Sequence, residues 1–201
     1  MNKKETIQQT KLAYDFIQKL YLEVSYLIKE IEGLLAEEEE NFIIGRSGGY
    51  AITARSSNGL EANNVYLWPL RMLSVFFVPR ELTKKSRGQT ITKFEDGIKV
   101  LHLRITLDEK DIEQPYLRIG VIHDIVVLSD RKYPNKFEQL NTHIEYNHSK
   151  VFAAGNEIDY EDAYVKFKAQ YLQINLYDIN SSEDIVVSVL SPALELFRSI
   201  K

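Results

Sequence analysis

The chain has 201 residues, of which 44% are hydrophobic and 27% charged, and its formal net charge is −4 at pH 7. These values are typical of globular proteins and argue against disordered, collagen-like and membrane classes. The absence of cysteine excludes disulfides, thiolate metal sites and cysteine nucleophiles, and it fits a reducing compartment.

No apolar run reaches the length of about 18 residues that a membrane span requires. Residues 1–9 begin with charge but contain no apolar core of a signal peptide. We therefore expect a cytoplasmic protein with no membrane association.

The first forty residues predict one long amphipathic helix. Its apolar positions alternate in spacings of three and four, and Leu20, Leu27 and Leu34 widen this seam on one side. The seam consists of Ile7, Tyr14, Ile17, Tyr21, Val24, Ile28, Ile31 and Leu35. Four consecutive glutamates, residues 37–40, place negative charge at the helix C-terminus, so the helix should fray or end there.

Such a helix would be about 50 Å long, more than the strands of one sheet can cover. It either packs along the whole sheet or pairs with another chain, and its first turns, residues 7–14, should overhang. We expect a homo-oligomer or a protein partner to bind this arm. The predicted interface residues, at the contact or at its junction with the sheet, are Ile17, Tyr21, Val24 and Ile28.

From Phe42 onward the pattern changes to strands. Strands are predicted at residues 42–46, 50–54, 70–78, 116–128 and 165–171, and a hairpin joins residues 90–95 to 98–107 around Asp96-Gly97. Leu172 and Ile174 reverse the alternation of the last strand, which predicts a β-bulge near Tyr171. A helix beginning at Asp159 is the competing interpretation of that segment.

Two further helices complete the prediction. Pro134 opens one near residues 134–147, and Ser181 caps a C-terminal helix that runs to Phe197, with Pro192 bending it or starting a new one. The fold class is therefore α+β, with the long helix packed on a mainly antiparallel sheet of about five to seven strands. We divide the chain into a helical arm, residues 1–40, and a single domain, residues 41–201.

Positive charge is concentrated in residues 42–93, which carry eight lysines and arginines but only Glu61 and Glu81 as acids. This cationic segment either pairs with the acidic N-terminal helix or binds an anionic partner: an acidic protein, a nucleotide or a nucleic acid. Lys93, His102 and Arg104 should share the outward face of the predicted hairpin. The candidate binding residues are Arg46, Arg55, Lys84, Lys85, Arg87, Lys93, His102 and Arg104.

Catalytic and metal-binding signatures are weak throughout. Strand alternation places His123 and Asp124 on opposite faces, so they should not form a dyad. Acidic residues 157–162 lack the spacing of a calcium loop, and glycine-rich residues 45–49 lack that of a phosphate-binding loop. We expect no metal and no cofactor.

These observations favour a non-catalytic interaction protein, such as a bacterial accessory, regulatory or immunity-type subunit. The alternative is a module that binds an anionic ligand through the cationic segment. A hydrolase with dispersed catalytic residues, His102 among them, is the third interpretation.

Overall fold

A computed structural model describes residues 3–44, 51–52, 72–82, 98–108, 112–128 and 157–200. In these ranges the chain forms a long N-terminal helix, α1 (Lys3–Glu37), an antiparallel sheet and a C-terminal helical segment. The α+β class is therefore confirmed. The strands are β1 (Phe42–Ile44), β2 (Ala51–Ile52), β3 (Met72–Pro79), β4 (Val100–Thr106), β5 (Tyr116–Val127), β6 (Ile158–Glu161) and β7 (Val165–Asn175).

Within the described residues the sheet has seven strands, of which six follow the order β1-β3-β4-β5-β7-β6. The remaining strand, β2, pairs with β3 along the edge that β1 also uses, and every pairing is antiparallel. The central position of β3 agrees with the prediction of a strand that is apolar on both faces and ends at Pro79, because all its residues from Leu73 onward are buried.

One face of the sheet carries the main hydrophobic core. Odd-numbered residues of β3, β4 and β5 point to this side, where α1 and the C-terminal helical segment cover them. From α1 only Val24, Ile28, Ile31 and Leu35 are buried, all in the second half of the helix. Burying such a side chain stabilises the fold by about 1.5–3 kcal/mol, so this half of α1 is held firmly on the sheet.

The first half of α1 extends beyond the sheet, as the helix length predicts. Every residue from Lys3 to Phe16 is exposed. The helix ends at Glu37, where Asn41 takes a left-handed conformation with φ of 46° and its N–H donates to the carbonyl of Glu38. The glutamate run that follows is held by Arg198, whose Nη2 lies 2.9 Å from carboxylate oxygens of Glu38 and Glu40.

The C-terminal helical segment changes its winding part-way along. The hydroxyl of Ser181 accepts a hydrogen bond from the N–H of Asp184 and so caps the first turn, as the sequence predicts. A wider π-helical stretch, Ile185–Leu190, then leads into an α-helix, Ser191–Ser199, with Pro192 in its first turn. Proline has no N–H and its ring crowds the preceding turn, which accounts for the widening ahead of a new helical start.

The predicted β-bulge lies in β5 rather than near Tyr171. The pairing of β5 with β7 shifts by one residue between His123 and Val126, and Asp124 takes a positive φ of 52°. The opposite face of the sheet carries a second cluster of buried side chains, which includes Phe76, Ile122 and Tyr171. The shift reverses the side on which the following residues point, so Ile125 packs in this second cluster rather than beside Val121. Strand parity predicts one inner face for Leu117, Ile119, Val121, Ile125 and Val127, and this prediction is wrong for Ile125.

Strand β7 runs without interruption through Tyr171, so the alternative of a helix starting at Asp159 is wrong. Its odd residues, such as Phe167 and Tyr171, are buried in the second cluster, whereas Leu172 and Ile174 pack against the helix-covered core. Both faces of β7 are therefore apolar over part of its length, and the change of parity in the sequence reflects this rather than an inserted residue.

Some predicted elements lie outside the described residues: the helix near 134–147, residues 90–97 of the hairpin and the glycines of residues 45–49. For the hairpin, β4 itself sets a limit, because Leu101 pairs with Phe77 on one side and Val121 on the other. From Leu101 onward β4 is hydrogen-bonded to β3 on one edge and to β5 on the other. A hairpin at Asp96-Gly97 can therefore use only residues 98–100 of this strand.

Candidate interaction surface

A groove of about 620 Å³ lies between the second half of α1 and the chain that follows β7. One wall is α1, where Val24 is buried and Leu27 half-buried on the floor, whereas Glu23 is exposed and Glu30 half-buried at the edge. The full lining consists of Leu20, Glu23, Val24, Tyr26, Leu27, Glu30, Leu176, Tyr177, Ile179, Asn180, Ser181, Ser182 and Ile185. Tyr26 and Tyr177 are 59% and 57% exposed, so the rim presents aromatic surface to solvent.

Hydrogen bonds fix the second wall of the groove. A 3₁₀ turn, Leu176–Asp178, reverses the chain after β7, and the N–H of Leu176 donates to the carbonyl of Pro115 at 2.9 Å. The carboxylate of Asp184 then accepts from the N–H of Asn180 and the hydroxyl of Ser181, both at 2.9 Å. The hydrogen bond from the Asn180 N–H is the main cause that lowers the pKa of Asp184. This wall is shaped before anything occupies the groove.

An apolar stripe on α1 leads from solvent into this groove. It consists of Leu12, Phe16, Leu20 and Leu27, which lie within about 80° of one another around the helix axis. Leu12 and Phe16 are 60% and 64% exposed, Leu20 is half-buried, and Leu27 lies on the floor of the groove. Exposed leucine and phenylalanine side chains that share one helix face are typical of surfaces that bind another molecule.

The four predicted interface residues divide at the edge of the sheet. Val24 and Ile28 are buried in the main core, and Ile17 and Tyr21 are half-buried at the point where α1 leaves the body. Val24 and Ile28 therefore stand at the junction of helix and sheet. The sequence analysis missed Leu12 and Phe16, because they fall beside the heptad seam, although Leu12, Phe16 and Leu20 recur at intervals of four residues.

The cationic surface is only partly visible, because Arg46, Arg55, Lys84, Lys85, Arg87 and Lys93 lie outside the described residues. His102 and Arg104 do share one face of β4, opposite Leu101, Leu103 and Ile105. The prediction that this face points to solvent is wrong, because His102 is 0% and Arg104 2% exposed. Alternation assigns a residue to a face, but it does not show whether that face is covered.

His102 belongs to a buried polar cluster, which we define as Ser74, His102, Arg104 and Thr106. Its Nδ1 lies 2.9 Å from the hydroxyl of Tyr171, and its ring is 4.5 Å from that of Phe76. Burial, with a smaller contribution from the charge of Arg104, holds the pKa of His102 well below 6.5. The imidazole is therefore neutral at neutral pH.

Arg104 is the most unusual member of the buried polar cluster, because arginine is rarely buried. Its Nη2 donates to the sulfur of Met72 at 2.7 Å. The hydroxyls of Ser74 and Thr106 have no hydrogen-bond partner within the described ranges. This side of the sheet thus holds a cation and two hydroxyls in one buried row, since Ser74 pairs with Arg104 across β3 and β4.

The structure brings His123 and Asp124 together, contrary to the argument from alternation. The bulge turns Asp124 so that its carboxylate lies 3.6 Å from Nδ1 of His123 and 3.6 Å from Nζ of Lys168. Asp124 is 55% exposed and shared with a lysine, which describes a surface ion pair.

The acidic residues 157–162 are engaged in the β6–β7 hairpin. Glu161 pairs with Lys166 and Glu157 with Lys168, while Asp162 accepts the N–H groups of Tyr164 and Val165. Within the described part of the chain, no group of three or more histidine, aspartate or glutamate side chains could hold a metal ion. None of the helices described there is long and apolar enough to cross a membrane.

Comparison with protein-family models, curated proteins and solved structures gives no match. The functional argument therefore depends on the chain's own residues.

Proposed function

We propose that this chain is a non-catalytic interaction protein, an assembly, regulatory or immunity-type subunit, that docks a protein partner through α1 and the adjoining groove. The observation that carries the proposal is the apolar stripe. Leu12 and Phe16 are exposed, yet they line up with residues that form the groove. Leaving such side chains in water forgoes about 1.5–3 kcal/mol each, and a docked partner recovers that free energy.

The shape of the surface favours a helix as the docked element. Eight residues of α-helix separate Leu12 from Leu20, so the apolar stripe extends about 12 Å beyond the groove. A small ligand that fills the groove would leave this part of the stripe exposed. An amphipathic helix lying along α1 covers both, in the helix-in-groove mode of recognition.

The test is the molar mass of the full chain as recovered from cells that produce it, measured by light scattering. We expect a particle heavier than the 23.3 kDa of one chain. Phe16→Asp should reduce it to the mass of one chain, because a carboxylate would be placed in an apolar contact. The matched control is Leu22→Asp, which alters an exposed residue, 48% accessible, on the other side of α1 and should leave the mass unchanged.

The outcome that contradicts the proposal is equally clear. If the parent chain has the mass of a monomer and recovers no other chain, the apolar stripe is not an interface. If Phe16→Asp and Leu22→Asp reduce the mass equally, the helix assembles without using this face.

The alternative proposal is a binding module for an anionic ligand, a nucleotide or nucleic acid. It is favoured by the buried polar cluster, where Ser74 pairs with Arg104 across β3 and β4, and where the hydroxyls of Ser74 and Thr106 have no hydrogen-bond partner in the described residues. It predicts salt-dependent retention on heparin that is lost when Lys84, Lys85 and Arg87 are changed to glutamate. A parent chain that is not retained at low salt contradicts it. The burial of His102 gives no support to a hydrolase role for that residue.

A further inference from the structure

We infer that the docked element is α1 of a second copy of this chain, packed antiparallel so that the first half of each helix lies in the other copy's groove. The inference rests on the proposed docking role of α1. A helix that has an exposed apolar half and a groove beside its other half contains both parts of such a contact. In a dimer with twofold symmetry, each copy fills the groove of the other, so no groove remains open for a third copy.

The charges of α1 favour this occupant and this orientation. Residues 3–20 carry four lysines and two acids, a formal charge of +2, whereas residues 21–37 carry one lysine and four glutamates, a formal charge of −3. Antiparallel packing places the positive half of each copy on the negative half of the other. Parallel packing would set like charges against each other along the whole contact, and such a juxtaposition costs several kcal/mol.

The same charge pattern explains why the groove suits the first half of α1. Glu23 and Glu30 stand at its edge, and the half-helix that we place there carries Lys19 beside its apolar side chains. An apolar floor with an acidic edge accepts an apolar stripe with a basic edge. The groove and its occupant are thus complementary in both polarity and charge.

The apolar stripe also fixes the register. When Leu20 lies at the twofold axis, Phe16 of one copy faces Val24 of the other, and Leu12 lies level with Ile28, one residue from Leu27. Each exposed side chain thereby meets a residue that already lines the groove. In this register Lys19 lies within one helical turn of Glu23 of the second copy. The contact occurs twice by symmetry, so both stripes are covered at once.

Single cysteines test the register directly, because the native chain contains none. Disulfides form only when the two Cα atoms are about 4.4–6.8 Å apart. Under mild oxidation, Leu20→Cys should cross-link to itself. Leu12→Cys should not, because the two copies of residue 12 are about 24 Å apart along the helices. After subunit exchange, a mixture of Leu12→Cys and Leu27→Cys should cross-link, and Leu22→Cys serves as the control that should not.

Charge reversal provides the second test, with dimer dissociation measured by sedimentation equilibrium. We expect Lys19→Glu and Glu23→Lys each to weaken the dimer about tenfold. The double variant should restore it, since the pair is exchanged between copies. Lys11→Glu is the matched control, because residue 11 lies on the side of α1 opposite Leu20 and its reversal should change the dissociation constant little.

The outcomes separate this inference from the proposed function. Self-cross-linking of Leu12→Cys as readily as Leu20→Cys, or a double variant no tighter than either single reversal, overturns the antiparallel pairing. If the parent chain is monomeric alone but co-purifies with another protein, and Phe16→Asp abolishes that co-purification, the partner is not a second copy of this chain. The docking role of α1 then remains in place. A monomer that binds nothing overturns both.

Discussion

Gly120 is the residue at which one added carbon atom would disturb the second face of the sheet. In the register of the strands it lies between His102 of β4 and Tyr171 of β7. A Cβ at this position would come within 2.5 Å of Cδ1 of Tyr171 and would also meet the carbonyl of Gln170. The absence of a side chain lets the tyrosine ring lie over the strand, where its hydroxyl reaches His102.

We therefore predict that Gly120→Ala lowers the free energy of unfolding by about 1–3 kcal/mol, the usual cost of overpacking a core. Gly33→Ala is the matched control, because a Cβ there meets nothing within 4 Å and alanine is the better helix former. That change should raise stability by up to about 1 kcal/mol. Urea denaturation measures both. Equal effects of the two substitutions would contradict the close approach of Tyr171 to β5.

His102 makes the stability of the protein depend on pH. Its pKa in the folded chain lies well below 6.5 because of burial, so the unfolded chain binds a proton that the folded chain refuses. Stability therefore falls as pH decreases below about 6.5, by up to about 1.4 kcal/mol per pH unit. The window runs from the unfolded pKa down to the lowered folded pKa.

The measurement compares urea denaturation at pH 7.5 and 5.5 for the parent chain and for His102→Gln. We expect the parent to lose stability between the two pH values and the variant to lose clearly less. The comparison within each protein removes the cost of the substitution itself. If both proteins lose the same amount, the pH dependence comes from other groups and His102 is not held neutral.

These residues also show what alternation can and cannot predict. The pattern of β4 correctly placed His102 and Arg104 on one side and Leu101 and Leu103 on the other, because successive side chains point to opposite faces. It gave the wrong exposure, because polar residue types usually mark a solvated face. Whether a face is covered depends on segments distant in sequence, which a local pattern does not contain.

At the scale of elements, the end of the C-terminal helix is held by Lys99, a residue distant in sequence. The ammonium of Lys99, just before β4, donates to the carbonyls of Phe197 and Ile200 at 2.6 Å each. It also lies 4.7 Å from the centre of the Phe197 ring. A cation at this point satisfies carbonyls that the helix end leaves open and opposes the negative end of the helix dipole.

We predict that Lys99→Met lowers the free energy of unfolding by about 1–3 kcal/mol, the range for a hydrogen bond made by a charged group. Methionine retains the apolar stem that packs on Phe197, so the loss reports the ammonium. The matched control is Lys166→Met, which removes an exposed lysine paired with Glu161 on β7. It should leave the free energy of unfolding nearly unchanged, because an exposed ion pair contributes little. A Lys99→Met variant as stable as this control would contradict the capping role.

The bulge shows why element boundaries are easier to predict than local irregularities. The long apolar run of β5 predicted its extent closely, but the shift at His123–Val126 carries no glycine or other turn signal, since aspartate takes the positive φ. Aspartate adopts this conformation more readily than most residues. It is also common in loops and at the ends of strands, so its presence does not predict a bulge. The change of parity at Leu172 was visible in the sequence and had a different cause, an apolar environment on both faces.

At the scale of the whole molecule, α1 is two structures in one helix. The buried residues of the helix all lie in its second half, which packs on the core. Residues 3–16 of its first half are all exposed, so the described sheet does not cover them. The heptad spacing predicted the helix and its overhang, and the glutamate run predicted its end, because these features depend on residues close in sequence. The groove was beyond such reasoning, because it joins residues 20–30 to residues 176–185, whose proximity only the folded chain creates.

This division predicts two rates of amide hydrogen exchange within one helix. Residues 21–37 should be protected at every protein concentration, because their buried side chains tie them to the sheet. Residues 3–20 form about five turns, of which residues 3–16 are all exposed, and an isolated helix of that length is marginally stable in water. In dilute solution they should exchange quickly, and protection should rise as the concentration exceeds the dissociation constant of the dimer.

Phe16→Asp distinguishes docking from intrinsic helix stability in the same experiment, followed by mass spectrometry of peptides from each half of α1. The substitution should abolish the concentration dependence of residues 3–20 and leave residues 21–37 unaffected, because Phe16 contacts the partner and not the core. Leu22→Asp should preserve the dependence. If residues 3–20 of the Phe16→Asp variant stay as protected as residues 21–37 at the lowest concentration, the helix is stable without a partner. The exposed half of α1 would then need no partner to be stable, and the apolar stripe would not indicate assembly.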